Sequence, residues 1–141
     1  MVATPEPAST VPELAVARDA LRASLWAQSH LPGEVLELCR IRLAQLHRSA
    51  ADAERVEFEL DGEKRAAVSS WNTAPVLDDA ARACLAFTEV YAMDAAAITD
   101  AQAAAVKSHF GDAGLVALIE ALGIFDGAIR VHLLWGGNHG R

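Results

Sequence analysis

Apolar residues recur at intervals of three and four along most of this chain, the spacing of one buried helical face. Leu14, Ala17, Leu21 and Leu25 form one such stripe and predict a helix ending near Gln28. Thr10-Val11-Pro12-Glu13 supplies a capping-box start, with proline at a position its fixed φ suits. After the turn Leu31-Pro32-Gly33, a second helix is predicted from about Pro32 to Leu46, burying Leu36, Cys39, Leu43 and Leu46. Glu34, Glu37, Arg40, Arg42 and Gln45 fall between those positions. His47-Arg48 interrupts the pattern, and Ser49-Ala50-Ala51-Asp52 opens a further helix that Asp61-Gly62 is expected to end. A short helix to Trp71 and the loop Asn72-Thr73-Ala74-Pro75 follow. From Asp78 to about Met93 the stripe is Ala81, Cys84, Leu85, Thr88 and Tyr91. Thr99-Asp100-Ala101-Gln102 is another capping box, opening a helix that stops before Gly111. The last helix is predicted from about Asp112 to Trp135, with Leu115, Leu118, Leu122, Phe125, Ile129 and His132 in line and Gly136-Gly137 as its stop. No segment asks for a strand. The class is all-α: one domain over residues 10–135, with a flexible tail at 1–9 and a polar tail at 136–141.

Composition supports that class. Of 141 residues, 52% are hydrophobic, enough for one core. Alanine makes up roughly a fifth of the chain, a bias toward helix over sheet. The net charge of −7 offers no basic field for a phosphate backbone, so nucleic acid is not an expected partner. The apolar stretch around residues 113–125 is bounded or broken by Asp112, Glu120 and Asp126, and no membrane span is expected. Met1-Val2-Ala3-Thr4-Pro5-Glu6-Pro7 lacks the basic start and apolar run of a signal peptide, so a cytoplasmic location is expected. Cys39 and Cys84 lie in apolar helical patterns and read as small buried hydrophobes. No His, Cys or Asp cluster has metal-ligand spacing, and no metal or cofactor is predicted.

The segment Glu37-Leu38-Cys39-Arg40-Ile41-Arg42-Leu43-Ala44-Gln45-Leu46-His47-Arg48-Ser49 resembles the signature of the carboxymuconolactone decarboxylase and alkylhydroperoxidase D superfamily. Its thiol-peroxidase members carry a Glu, an Arg and Ala-Gln-Leu leading into Asn-Gly-Cys-x-x-Cys-x-x-x-His. Trp71 with its Pro75 loop, Ala83-Cys84-Leu85-Ala86-Phe87-Thr88-Glu89 and Ile98-Thr99-Asp100-Ala101-Gln102 are similar to the C-terminal part. The resemblance covers roughly residues 30–135 and implies an AhpD-like bundle of about six to seven helices, assembled with itself as a trimer or hexamer. Ser49 and Asp52 stand where the family has its two redox cysteines, and Val56 where the peroxidases have their histidine. Thiol peroxidase chemistry needs an attacking thiolate and a resolving thiol, which neither Ser49 nor Asp52 can supply.

The candidate catalytic residues are therefore Glu37, Ser49 and Asp52, with His47 and His132 as candidate substrate-binding groups. If Glu37 and Asp52 faced each other, one carboxyl would be held protonated and the pair could shuttle a proton in an isomerisation, decarboxylation or cyclisation of a small organic molecule. The bland reading makes Ser49-x-x-Asp52 a helix cap, Glu37 a partner of Arg40 and His132 a core histidine. Two other functions stay open: a non-catalytic ligand-binding or scaffold protein, and a peroxidase using Cys39 or Cys84 in a rearranged site.

Overall fold

A computed structural model of the chain describes residues 10–137; the expected tail at 1–9 and residues 138–141 lie outside the described residues. Among these there are six α-helices and no strand. They are α1 (Pro12–Ala27), α2 (Gly33–Leu46), α3 (Ala50–Glu54), α4 (Gly62–Ala67), α5 (Asp79–Asp94) and α6 (Asp100–Val131). Single 3₁₀ turns extend α4 (Val68–Ser70) and α5 (Ala95–Ala97), and a π-helical turn, His132–Gly137, extends α6.

Helix α2 is the axis of the molecule. It packs against α3, α5 and α6, and α5 packs on α6. Leu36, Cys39 and Leu43 are fully buried as the stripe requires, but so are Glu37 and Arg40, which the periodicity placed between the apolar positions. The stripe from α6 that closes this core is Leu118, Leu122, Phe125 and Ile129, as its spacing predicts. Gly111, at φ 73° and ψ −178°, breaks α6 where the sequence expected one helix to stop and another to begin. The Thr99–Gln102 capping box forms in full at the start of α6.

Two local expectations are corrected, and the stripe on α1 is covered only in part. Val11, not Thr10, occupies the N-cap of α1, and the Val11 side chain makes no capping bond. The stripe on α1 is covered only toward its C-terminal end: Leu25 is buried, whereas Leu14 is 63% and Leu21 52% exposed. Within this chain α1 meets α6 and, through Arg22 and Trp26, Glu57 and Phe58. Asp61-Gly62 begins a helix instead of ending one. The Asp61 side chain accepts from the Glu63 amide as the N-cap of α4, and residues 55–60 run without helix between α3 and α4. That segment lies close to α2: a Cβ on Gly33 would sit 2.4 Å from the Phe58 ring, so only glycine leaves room there.

Candidate functional site

The site is built at the junction of α2 and α3. Helix α2 ends in a Schellman motif: the Ser49 amide donates to the Ala44 carbonyl (2.8 Å) and the Arg48 amide to that of Gln45 (3.0 Å). The motif demands a left-handed residue, and here it is Arg48 (φ 58°), where glycine is usual. An L-residue pays on the order of 1–2 kcal/mol for that conformation. The reversal turns Ser49 and Asp52 inward, to 6% and 4% exposure.

Ser49 occupies the N-cap of α3 without capping it. Its hydroxyl donates instead to Asp52 Oδ2 (2.6 Å), and Asp52 Oδ1 lies 2.9 Å from His132 Nδ1 at the far end of α6. The capping arrangement expected for Ser49-x-x-Asp52 is thus replaced by a chain of two side-chain bonds: serine hydroxyl, carboxylate, imidazole. Because a carboxylate only accepts, the His132 Nδ1 carries the hydrogen in that bond, and the neutral ring then presents Nε2 as a lone pair. The His132 side chain is 42% exposed, so the chain runs from the interior to the surface. His132 lies in the first π-helical residue after α6.

The expected Glu37–Asp52 dyad does not form. Glu37 is completely buried, and its Oε1 accepts from Arg40 Nε (2.6 Å). Its Oε2 accepts from Arg40 Nη2 (3.0 Å), the Glu57 amide (3.0 Å) and Arg65 Nη2 (2.9 Å). Four donors fill a carboxylate's acceptor capacity. Burial pushes the Glu37 pKa up, but the hydrogen bonds from Arg40 and Glu57 and the charge of Arg40 prevail and hold it below its ordinary value. Glu37 is thus a fixed anion, the opposite of a shared-proton pair. Arg40, itself buried, donates to the carbonyls of Asp52 and Arg55 and so ties α2 to α3 beneath the site.

His47, the C-cap of α2, pairs elsewhere: Nε2 lies 2.5 Å from Asp126 Oδ1, and Asp126 Oδ2 accepts from Arg130 Nε (2.7 Å). Two His–Asp pairs of opposite polarity therefore join the α2–α3 junction to the second half of α6.

Sequence reasoning missed Arg55, Glu57 and Arg65. Arg55 Nη1 is 3.8 Å from Asp52 Oδ1, and Arg55 Nη2 donates to Glu57 (3.1 Å). Glu57 also pairs with Arg22 and Arg40 and accepts from Trp26 Nε1 (3.2 Å). Despite burial, the Arg22 hydrogen bond and charge, with Arg55 and Arg40, hold Glu57 down at about 2. The alternation Arg55-Val56-Glu57-Phe58 gives no signal of this, since Val56 and Phe58 are 49% and 40% exposed and Glu57 is the residue turned inward.

The two thiols lie elsewhere. Cys39 and Cys84 are fully buried, and burial pushes Cys39 up to about 12 despite a hydrogen bond from Thr88. Cys84 is pushed up by burial and by the neighbouring Cys39. Neither is a thiolate near neutrality. Among the described residues no group of three His, Cys, Asp or Glu side chains is arranged to hold a metal ion, and no helix is long and apolar enough to cross a membrane.

The sequence matches no family model and no curated protein. The fold does have a counterpart: the crystal structure of a protein of unknown function from Agrobacterium tumefaciens, proposed to be the antioxidant defence protein AhpD. The two superpose with a TM-score of 0.84 at 20% identity, covering 98% of each chain. The fold is AhpD-like. Within this AhpD-like bundle the junction of α2 and α3 carries an oxygen-and-nitrogen chain, Ser49–Asp52–His132, over an arginine–carboxylate network.

Proposed function

We propose that this protein is an acid–base catalyst acting on a small organic molecule, with His132 exchanging the proton. Asp52 and Ser49 are positioning residues: Asp52 fixes the imidazole tautomer, and the Ser49 hydroxyl holds Asp52 in place. Glu37, through Arg40, sets the backbone on which Asp52 stands. His47 is engaged by Asp126 and serves the docking of α6. The observation that carries this reading is the hydrogen-bonded chain from Ser49 Oγ through Asp52 to His132, ending on a half-exposed ring. Oriented imidazoles contribute roughly 10²–10⁴-fold to proton-transfer steps. By the resemblance, Ser49 and Asp52 take the places of the redox cysteines, which favours proton chemistry over peroxide reduction in this chain.

The test is deuterium wash-in from D₂O into a panel of small carbon acids, 1,3-dicarbonyls and 2-oxo acids among them, with the imidazole nitrogens followed by ¹⁵N NMR. His132→Gln should abolish protein-dependent wash-in, and Asp52→Ala should release His132 from the Nδ1–H tautomer. No wash-in above that of His132→Gln on any member of the panel would overturn the reading, as would an unchanged tautomer in Asp52→Ala.

The same reading includes assembly of the chain with itself. The exposed face of α1 and a groove of about 440 Å³ between α1 and α6, lined by Arg18, Leu21, Ile119, Gly123, Ile124 and Val131, present apolar surface that a second copy would cover.

A further inference from the structure

The ion pairs around the site form one connected set. Arg22, Arg40 and Arg55 meet Glu57; Arg40 and Arg65 meet Glu37; Arg55 and His132 meet Asp52. Among the described residues, four guanidiniums thus face three carboxylates. The set carries one positive charge in excess, two when His132 is protonated, inside a chain whose net charge is −7. Arginine does not deprotonate to relieve such an excess. The network is also long in donors, since the buried Arg65 Nη1 has no hydrogen-bond partner among the described residues.

Its surface lies at two side chains. Arg55 is 45% and His132 42% exposed, and both reach the same buried oxygen, Asp52 Oδ1. The other arginines of the set are mostly covered.

Resting on the acid–base reading above, we propose that the substrate is a small monocarboxylate, held by Arg55 beside His132. One negative charge balances the network with His132 neutral, the form in which Nε2 accepts a proton. The guanidinium has donors to spare, because Arg55 Nε makes no hydrogen bond among the described residues and Nη1 stands 3.8 Å from its carboxylate, beyond hydrogen-bond length. A carboxylate seated on Arg55 directs the rest of the molecule toward His132, where a C–H made acidic by an adjacent ketone (C3 of a 2-oxo acid, C2 of a 3-oxo acid) gives its proton to Nε2 while the electron pair passes into the enolate, and regains it on return. Arg55 is then a binding residue for the anionic end, and the arrangement selects against neutral molecules of the same shape.

The experiment is an NMR titration of the ¹⁵N-labelled full chain, following the His132 ring signals, with benzoate, benzamide and inorganic phosphate as probes. Benzoate should bind at millimolar or lower concentration, and benzamide at least tenfold more weakly. Arg55→Gln should weaken benzoate at least tenfold while leaving the His132 tautomer as in the wild type; Arg55→Lys should recover part of the loss. Equal binding of benzamide, unchanged benzoate binding by Arg55→Gln, or phosphate binding tighter than benzoate would each overturn the monocarboxylate assignment. The wild-type tautomer reads the acid–base proposal separately: benzoate failing to bind while Nδ1 keeps its hydrogen sinks only the carboxylate.

Discussion

Replacing Glu37 with Gln changes one atom's identity in a side chain with no exposure. The carboxylate accepts from Arg40 at Oε1 and from Arg40, Arg65 and the Glu57 amide at Oε2. A glutamine has one acceptor oxygen. Placed with that oxygen toward the three donors, it turns its own NH₂ against Arg40 Nε; placed the other way, it opposes three donors at once. At best, one donor–donor contact and a buried arginine stripped of its closest counter-charge remain. Removing one partner of a buried pair costs about 3–5 kcal/mol, and Gln keeps enough bonds to set the expected loss near 3 kcal/mol. That is roughly a 150-fold shift of the folding equilibrium, or on the order of 10 °C in Tm for a chain of this size. Urea unfolding of wild type and Glu37→Gln at one protomer concentration measures it, the fixed concentration removing any contribution from self-association. The double variant Glu37→Met/Arg40→Met separates charge from scaffolding. If the pair only neutralised itself, two apolar residues would restore stability. The Asp52 and Arg55 carbonyls that lean on Arg40 lose their donors, so the double variant should remain destabilised by about 2 kcal/mol or more. A Glu37→Gln variant within about 1 kcal/mol of wild type would refute the reasoning.

Acid should unfold the protein through the same network. Glu57 titrates at about 2 in the folded chain against 4.5 ordinarily, so its contribution is complete above about pH 5 and is lost as pH falls toward 2. The shift corresponds to about 3 kcal/mol, with Glu37 and Asp126 displaced in the same direction. A Tm that falls steeply from pH 5 to pH 2.5, with a shallower fall in Glu57→Gln, is the expected outcome; a flat profile contradicts it. Cys39 and Cys84 should resist iodoacetamide for hours at pH 7.5 and react promptly in guanidinium, as read by mass spectrometry; alkylation of the native protein within minutes would bring thiol chemistry back. The wild type should scatter light as an oligomer, and Leu14→Asp/Leu21→Asp should shift it to monomer with its helix content kept; identical masses would remove α1 as the contact.

The helices were legible because their signals are local. The apolar stripe of α6, the capping box at Thr99 and the break at Gly111 are each read within a few residues. The inside of α2 was not. Glu37 and Arg40 occupy positions that face solvent in a one-sided helix, and what buries them is the 55–65 stretch, which brings Glu57 and Arg65 onto Glu37. Nothing near residue 37 announces that cover. Ser49-x-x-Asp52 has the form of a cap, yet Asp52 is drawn to His132, 80 residues away, and the Ser49 hydroxyl follows the carboxylate. The residue types at the site were visible in sequence; their partners, set by long-range packing, were not. The apolar stripe on α1 is legible in the same way, but periodicity marks a face that avoids water without saying what covers it, and within this chain Leu14 and Leu21 stay exposed.

The order of the three groups decides what chemistry the site can do. In a serine hydrolase the imidazole stands between hydroxyl and carboxylate, so that it takes the serine proton as the nucleophile attacks. Here the carboxylate stands in the middle: Ser49 donates to Asp52, and His132 lies on the other side. A carboxylate is too weak a base to draw a proton from a serine hydroxyl, and the hydroxyl is 6% exposed at residue level, so Ser49 is held as a donor and not released as a nucleophile. The same order favours His132. Its Nδ1 is committed to an anion fixed by Ser49, which leaves the ring with one orientation and one basic nitrogen. The strained Arg48 turn sets the direction of Ser49 and Asp52, and the second His–Asp pair, His47 with Asp126, holds α6 six residues before His132. Proton transfer at a surface imidazole, with no covalent intermediate on serine, is therefore the chemistry we propose for this geometry.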